Sequence, residues 1–320
     1  MHKEFLMGNA AIALGAVAAG VNVVAGYPGT PSTEVLETIA KHRPDDVYVE
    51  WSVNEKAAME LAAGASYAGA RSMVTMKQVG LNVASDPLMS LEYVGIKGGM
   101  VILVADDPGP ISSQTEQDTR HFSRFSKLPC FDPSSAQEAY EMIQEAFEYS
   151  EKYGTPVFLR PTTRVCHGYA SIMVKDETEY THHQPEGFIK DSKRWVIFPR
   201  LSFMNHKKIE ARNQELSDIF SSYEKNTIHP SCDAFKDSKK GIATGGISYT
   251  YTMETLKKTG MVKTLKIATP HPFPEKLAVD FLSGLDEVLC LEELDPVIER
   301  ELIYICGKYL MEQGRLEGNT

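Results

Sequence analysis

Apolar residues along this chain fall into short runs rich in Val, Ile and Met, separated by longer stretches in which they recur at helical spacing. Runs at 21–25, 47–50, 72–76, 100–105 and 156–160 predict strands, and the stretches 8–19, 32–42, 55–68 and 136–152 predict helices between them. Strand and helix in alternation is the pattern of an open parallel sheet covered on both faces. Ser134 and Ser135 stand just ahead of the last of these helices as N-caps.

The pattern lapses over 176–239, where charge is dense and aromatic residues are scattered without alternation. This stretch reads as a linker with one helix near 204–225 laid over the surface. Alternation then resumes, with strands at 241–244, 264–268 and 287–291 and helices near 248–258, 274–283 and 296–313. The expected division is a first α/β domain over 1–175, the linker over 176–239 and a smaller parallel α/β domain over 240–320.

A length of 320 residues is enough for two cores. With 33 basic against 43 acidic residues and a net charge of -10, the chain lacks the basic surface that nucleic-acid binding requires. The apolar run over 10–25 is broken by glycines and Asn22, too short and too glycine-rich for a membrane span and without a signal-peptide pattern, so a cytoplasmic protein is expected. Cys130, Cys166, Cys232, Cys290 and Cys306 are widely spaced and form no CxxC pair, which argues against a disulfide framework, a zinc site or an iron-sulfur cluster in this chain.

Three successive strand-to-helix connections carry the candidate chemistry. The first, Gly26 to Thr33 (GYPGTPST), is a tight turn with Ser32 or Thr33 placed to cap the next helix. The second ends in Asn54-Glu55-Lys56 at the head of a helix of small residues, among them Ala57, Ala58, Ala62, Gly64 and Ala65, suited to close approach of a neighbour. The third, Thr75 to Asn82 (TMKQVGLN), reads as a polar, glycine-containing loop. Taken singly, the first is equally an ordinary turn and Glu55 equally an acid facing a helix dipole. In an open α/β sheet, however, all three emerge at the carboxyl edge where ligands bind.

These segments, with ADDPGP at 105–110, SSQTEQD at 112–118, RPTTR at 160–164 and LEELDP at 291–296, resemble the thiamine diphosphate-dependent 2-oxoacid ferredoxin oxidoreductases, and among them the alpha subunit of the indolepyruvate type. The resemblance is dense to about residue 170, thin across the linker, and resumes from about 240. It implies a pyrimidine-binding domain of thiamine diphosphate enzymes followed by a transketolase C-terminal-like domain. It also implies that Glu55 hydrogen-bonds a pyrimidine nitrogen and so helps the cofactor shed the proton from its reacting carbon. A carboxyl shielded from water can share a proton with an aromatic nitrogen in this way. By the same resemblance Thr30, in the Pro28-Gly29 turn, holds the oxoacid carboxylate or the cofactor, and Val79, Gly80 and Asn82 line the cofactor.

Other motifs stay open between two readings. Asp106-Asp107 is a rim or subunit-contact segment, or a solvated acidic turn; Arg160 and Arg164 meet a carboxylate, or form surface ion pairs. Glu292-Glu293 marks a partner-facing edge, or, the favoured reading, supplies acids at a helix start. His182, His183 and His271 lack ligand-like neighbours, and no metal site is expected.

No Gly-Asp-Gly run occurs, so the magnesium and diphosphate anchor is expected on another domain or polypeptide and this chain supplies half a site. The resemblance implies an oxidoreductase that decarboxylates an aryl-2-oxoacid to an acyl-coenzyme A and reduces ferredoxin. The expected partners are diphosphate-binding and ferredoxin-like domains carrying iron-sulfur clusters, a beta subunit, ferredoxin, coenzyme A and further copies in an oligomer. Pyruvate or a branched-chain 2-oxoacid as substrate, and a non-catalytic assembly subunit, are the alternatives.

Overall fold

The computed structural model describes residues 1–312. Strands and helices alternate as β1 His2–Met7, α1 Gly8–Ala18, β2 Val23–Gly26, α2 Thr33–His42, β3 Tyr48–Trp51, α3 Glu55–Tyr67, β4 Ser72–Lys77, α4 Gly80–Val94, β5 Met100–Ala105 and α5 Thr119–Ser126. Then come β6 Cys130–Phe131, α6 Ala136–Tyr153, β7 Val157–Leu159, α7 Thr163–His167, β8 Tyr169–Val174, α8 Ser192–Trp195 and α9 Pro199–Phe220. The remainder is β9 Thr227–His229, β10 Lys240–Gly245, α10 Gly246–Thr259, β11 Lys263–Ile267, α11 Glu275–Leu282, β12 Glu287–Leu291 and α12 Val297–Glu312.

The first sheet has the order β3-β2-β4-β5-β7-β6 and every pairing is parallel. β5 sits at its centre and is buried throughout, as a parallel strand covered on both faces must be. One face packs against α1, α2 and α6, where Ile12, Val35, Ile39, Ile143 and Phe147 meet Val24, Met73 and Val101. The other face meets α3 and α4 through Met59, Ala62, Leu81, Leu88 and Leu91. Ala58 and Ala62 of α3 share this core with Ala84 of α4, as small residues permit, whereas an added Cβ at Gly64 would meet nothing within 4 Å. Ser135 caps α6 by accepting from the Glu138 amide, and Asn54 caps α3 by accepting from the Ala57 amide.

The structure departs from the sequence reading in several places, including the short elements α5, β6, α7 and α8, which the pattern does not predict. Residues 80–94, read partly as loop, form the helix α4, which carries Pro87 inside it. β1 and β8 form an antiparallel pair beside α1 and α6, unseen in the sequence because the partners lie at opposite ends of the domain. The helix expected over 204–225 begins earlier, at Pro199, and is not merely laid on the surface: Leu216 and Phe220 enter the first core. β9, inside the stretch read as linker, pairs antiparallel to β11, so the second sheet, β12-β10-β11-β9, is mixed with one antiparallel edge. The expected helix over 296–313 matches α12 as far as Glu312; Gln313 and the end of the 240–320 segment lie outside the described residues.

No helix among the described residues is long and apolar enough to cross a membrane.

Candidate functional site

β3, β2 and β4 are neighbours and run parallel, so their carboxyl ends deliver the three connections to one edge. The Ser52 amide donates to the Gly26 carbonyl at 2.8 Å, and Gly26 lies opposite Thr75 so closely that an added Cβ would stand 2.3 Å from Thr75 Oγ1.

The first loop is closed by its own side chains. Ser32 Oγ donates to the Gly29 carbonyl and the Gly29 amide donates to Thr33 Oγ1, both at 2.9 Å. Neither hydroxyl caps the helix, as the sequence reading had expected of one of them. From below, Asn9 of α1 donates to the Pro31 carbonyl at 2.6 Å and to Glu34 at 2.8 Å. Pro28 and Thr30 stand exposed on the rim, and Gly29 lies over the Lys77 stem, which an added Cβ would meet at 3.0 Å.

Glu55 is the first residue of α3 and only 8% exposed. Its carboxyl fills the space that a side chain at Gly80 would need: a Cβ there would lie 2.4 Å from Glu55 Oε1 and 2.7 Å from its Cγ. The second and third connections thus meet at Glu55 and Gly80, and the first and third meet at Gly29 and Lys77. Val79 is half-buried beside them, and Asn82 is exposed.

A fourth connection, after β5, lies across the third. Lys77 Nζ donates to Gln114 Oε1 and Gln78 Nε2 to the Thr115 carbonyl, both at 3.3 Å, and Asn82 Nδ2 donates to Gln117 Oε1 at 3.1 Å. Gln78 is 1% exposed, and its Oε1 has no hydrogen-bond partner. Local pattern alone does not assign Lys77, Gln78 and the 112–118 run to one surface; the crowding of amide side chains in both segments is the available signal.

Buried acids pin both ends of that connection, so Asp106 and Asp107 are not a solvated turn. One Asp107 oxygen accepts from the amides of Ile111, Ser112 and Ser113 at 2.9–3.1 Å, and the other accepts from Thr163 Oγ1. Burial works to raise the Asp107 pKa, but these bonds outweigh it and hold the carboxyl below its ordinary value. Asp106, fully buried, accepts from the Thr119 amide at 3.0 Å and from Arg160 Nε at 2.6 Å.

Arg160 is likewise no surface residue: it is 1% exposed, and it also donates to both oxygens of Asp132 at 3.3 Å and lies 3.8 Å from Asp118. Burial opposes its charge, yet Asp106, Asp132 and Asp118 raise its pKa well above the ordinary value. Burial pushes Asp132 up to about 6 against the pull of Arg160 and Arg120. For Asp118 burial is outweighed by Arg160 and Arg120, which hold it at about 2.

Arg120 carries the network to the end of β12 in the second sheet. It grips Asp118 at 2.6 Å, donates to Glu292 Oε2 at 2.8 Å, and donates to the carbonyls of Glu293 and Asp295. Glu292 in turn accepts from the amides of Ile298 and Glu299 at the start of α12, the helix-start role the sequence favoured. Arg164, half-exposed, pairs with Glu293 at 2.6 Å.

The family model described as pyruvate flavodoxin/ferredoxin oxidoreductase, thiamine diphosphate-binding, matches residues 14–230. The indolepyruvate oxidoreductase subunit IorA of Methanothermobacter thermautotrophicus is 42% identical over 324 residues, an alignment that takes in 99% of this chain and 51% of that protein. The ketoisovalerate oxidoreductase subunit VorB of the same organism is 25% identical over 303 residues, covering 89% of this chain and 84% of that protein. The chain thus spans about half the length of the IorA relative. The solved 2-oxoglutarate:ferredoxin oxidoreductase from Magnetococcus marinus superposes with a TM-score of 0.76 over 96% of this chain and 60% of that one, at 18% identity, a likeness of fold.

Proposed function

Because the chain belongs to the pyruvate flavodoxin/ferredoxin oxidoreductase family, in its thiamine diphosphate-binding part, we propose that it forms the pyrimidine half of the cofactor site in an indolepyruvate-type 2-oxoacid ferredoxin oxidoreductase. The observation that carries this reading is the Glu55 carboxyl, shielded at the carboxyl edge of the sheet and given room by the missing side chain of Gly80.

The residues present suit the pyrimidine end of thiamine diphosphate. A shielded carboxyl stands beside glycine backbone at Gly80, and the buried Gln78 Oε1 is without a partner. When bound, the cofactor supplies the carbon nucleophile and electron sink for decarboxylating a 2-oxoacid. Glu55 would hold a proton at the pyrimidine nitrogen, in surroundings dry enough to strengthen that hydrogen bond. Val79, Gly80 and Asn82 would line the ring, and Pro28 and Gly29 would set the turn that offers Thr30 Oγ1 to the substrate carboxylate or the cofactor. Magnesium and the diphosphate would be held by a domain or subunit outside this chain, and iron-sulfur clusters would lie elsewhere in the complex.

Identity of 42% to an indolepyruvate-named relative, against 25% to a ketoisovalerate-named one, supports an aryl-2-oxoacid as substrate. The expected product is an acyl-coenzyme A, with electrons passing to ferredoxin. The partners would be a beta subunit and the missing domains, in a cytoplasmic oligomer.

The test is the complex reconstituted with its partner subunits and given indolepyruvate, phenylpyruvate or pyruvate with coenzyme A and an electron acceptor. The aryl substrates should lead, and Glu55→Ala should lower the rate by about a hundredfold or more, the scale of a lost proton-transfer group. Activity near the original rate in that variant would mark the chain as an assembly subunit, and preference for pyruvate would overturn the aryl assignment.

A further inference from the structure

Successive side chains of β4 leave on opposite faces of the sheet. Val74 and Met76 enter the core beneath α3 and α4, so Met73, Thr75 and Lys77 share the other face, that of α1 and α2, where Met73 enters the core. Glu55 and Gly80, at the heads of α3 and α4, thus stand on one side of the carboxyl edge, and Lys77 stands on the other with the turn that carries Thr30.

Lys77 is half-buried, its stem held beneath Gly29: a Cβ there would lie 3.0 Å from Lys77 Cγ and 3.1 Å from its Cδ. Its ammonium reaches only the neutral Gln114 Oε1, at a long 3.3 Å. Of the two lysines on or flanking the four connections at this edge, Lys56 pairs with Asp86 at 2.8 Å, and no acid pairs with Lys77 among the described residues. The acids of the fourth connection are turned elsewhere: Asp107 holds backbone amides, Asp118 holds Arg120, and Glu116 accepts from the Gly109 amide at 2.8 Å. A lysine with a packed stem and an unpaired head at a ligand-binding edge is placed to receive an anion.

We propose that Lys77 receives the carboxylate of the 2-oxoacid beside Thr30, as a specificity-determining residue; the proposal rests on the oxidoreductase reading of the Glu55 site. A 2-oxoacid brings a full negative charge to a site that already holds the Glu55 carboxyl, and a nearby cation offsets the repulsion between like charges. The two faces of the edge divide the work, with Glu55 on the cofactor side and Lys77 on the substrate side. Decarboxylation converts that carboxylate into neutral carbon dioxide, so the contact favours the bound substrate and acts on affinity more than on the chemical step.

The test is steady-state oxidation of indolepyruvate by the reconstituted complex carrying Lys77→Met or Lys77→Arg, with inhibition by indole-3-propionate and by its neutral amide measured on the same preparations. Lys77→Met should raise KM about tenfold or more, equivalent to about 1.4 kcal/mol, with a smaller change in kcat. It should weaken inhibition by the acid to a like extent and leave inhibition by the amide as it was. Lys77→Arg, which keeps the charge, should recover most of the affinity. Affinity for thiamine diphosphate should be the same in the unaltered complex and both variants. An unchanged KM in Lys77→Met, equal weakening of acid and amide, or a loss that falls on thiamine diphosphate affinity instead would overturn the assignment. Glu55→Ala separates this from the reading beneath it. A slowed Glu55→Ala beside an unchanged KM in Lys77→Met would strike the lysine alone; a Glu55→Ala of undiminished rate beside the raised KM would strike the role of Glu55 and support the carboxylate contact.

Discussion

Gly80 and Glu55 share one space: the acid's Oε1 lies 2.4 Å from where a Cβ on the glycine would be, at the point where α3 and α4 begin. The absence of one side chain is therefore a condition for the position of another.

Gly80→Ala should displace the Glu55 carboxyl while leaving the fold in place, because the displaced atoms are the far end of a flexible side chain. The expected cost in stability is about 1 kcal/mol, at the mild end of overpacking. The loss of oxoacid oxidation in the reconstituted complex should be at least about tenfold, since the carboxyl leaves its working geometry. Urea denaturation and steady-state rates on the same preparation check both halves.

Arg160→Met would leave Asp106, Asp118 and Asp132 without their shared cation in a site that is almost dry. Breaking a buried pair from one side typically costs about 3–5 kcal/mol, and that loss should appear in the urea midpoint. A change no larger than that of a surface substitution would mean that the network does not support the fold.

Arg120→Gln should loosen the join between α5 and the segment that follows β12. Glu292, now held by Arg120, itself holds the Ile298 and Glu299 amides, so hydrogen exchange at those two amides should quicken more than in β5.

Glu92 gives the protein a pH dependence of defined sign. Burial raises its carboxyl from the ordinary 4.5 to about 8, so the folded state binds that proton more tightly than the unfolded chain. Its contribution to stability is fully present below about pH 4.5 and is lost as pH rises toward about 8. Glu92→Gln should flatten the fall in urea midpoint between pH 5 and pH 8, and an unchanged slope would contradict this origin.

Local pattern carried much of the fold. Five of the six strands of the first sheet, all but β6, and the caps Asn54 and Ser135 are legible because a buried parallel strand and a capped helix leave contiguous signals. α4 was obscured by Gly80 and Pro87, although Leu81, Ala84, Leu88 and Leu91 recur at the spacing of a buried helical face. The pairing of β1 with β8 and the Arg120–Glu292 contact join residues more than 160 positions apart, which no local pattern records. Asp106 and Arg160 are 54 positions apart, still beyond local pattern, and their burial was hidden because an acidic turn and a lone arginine look solvated until their partners are known. At the candidate site the sequence offered Glu55 and the three connections, but not the reason for Gly80, which lies in its contact with Glu55.

The most direct test is the position of the Glu55 carboxyl in a structure of the assembled complex loaded with thiamine diphosphate and magnesium. An oxygen of Glu55 within about 2.6–3.2 Å of a pyrimidine ring nitrogen is the predicted result. A cofactor seated with its pyrimidine beyond hydrogen-bonding reach of Glu55 would contradict the account.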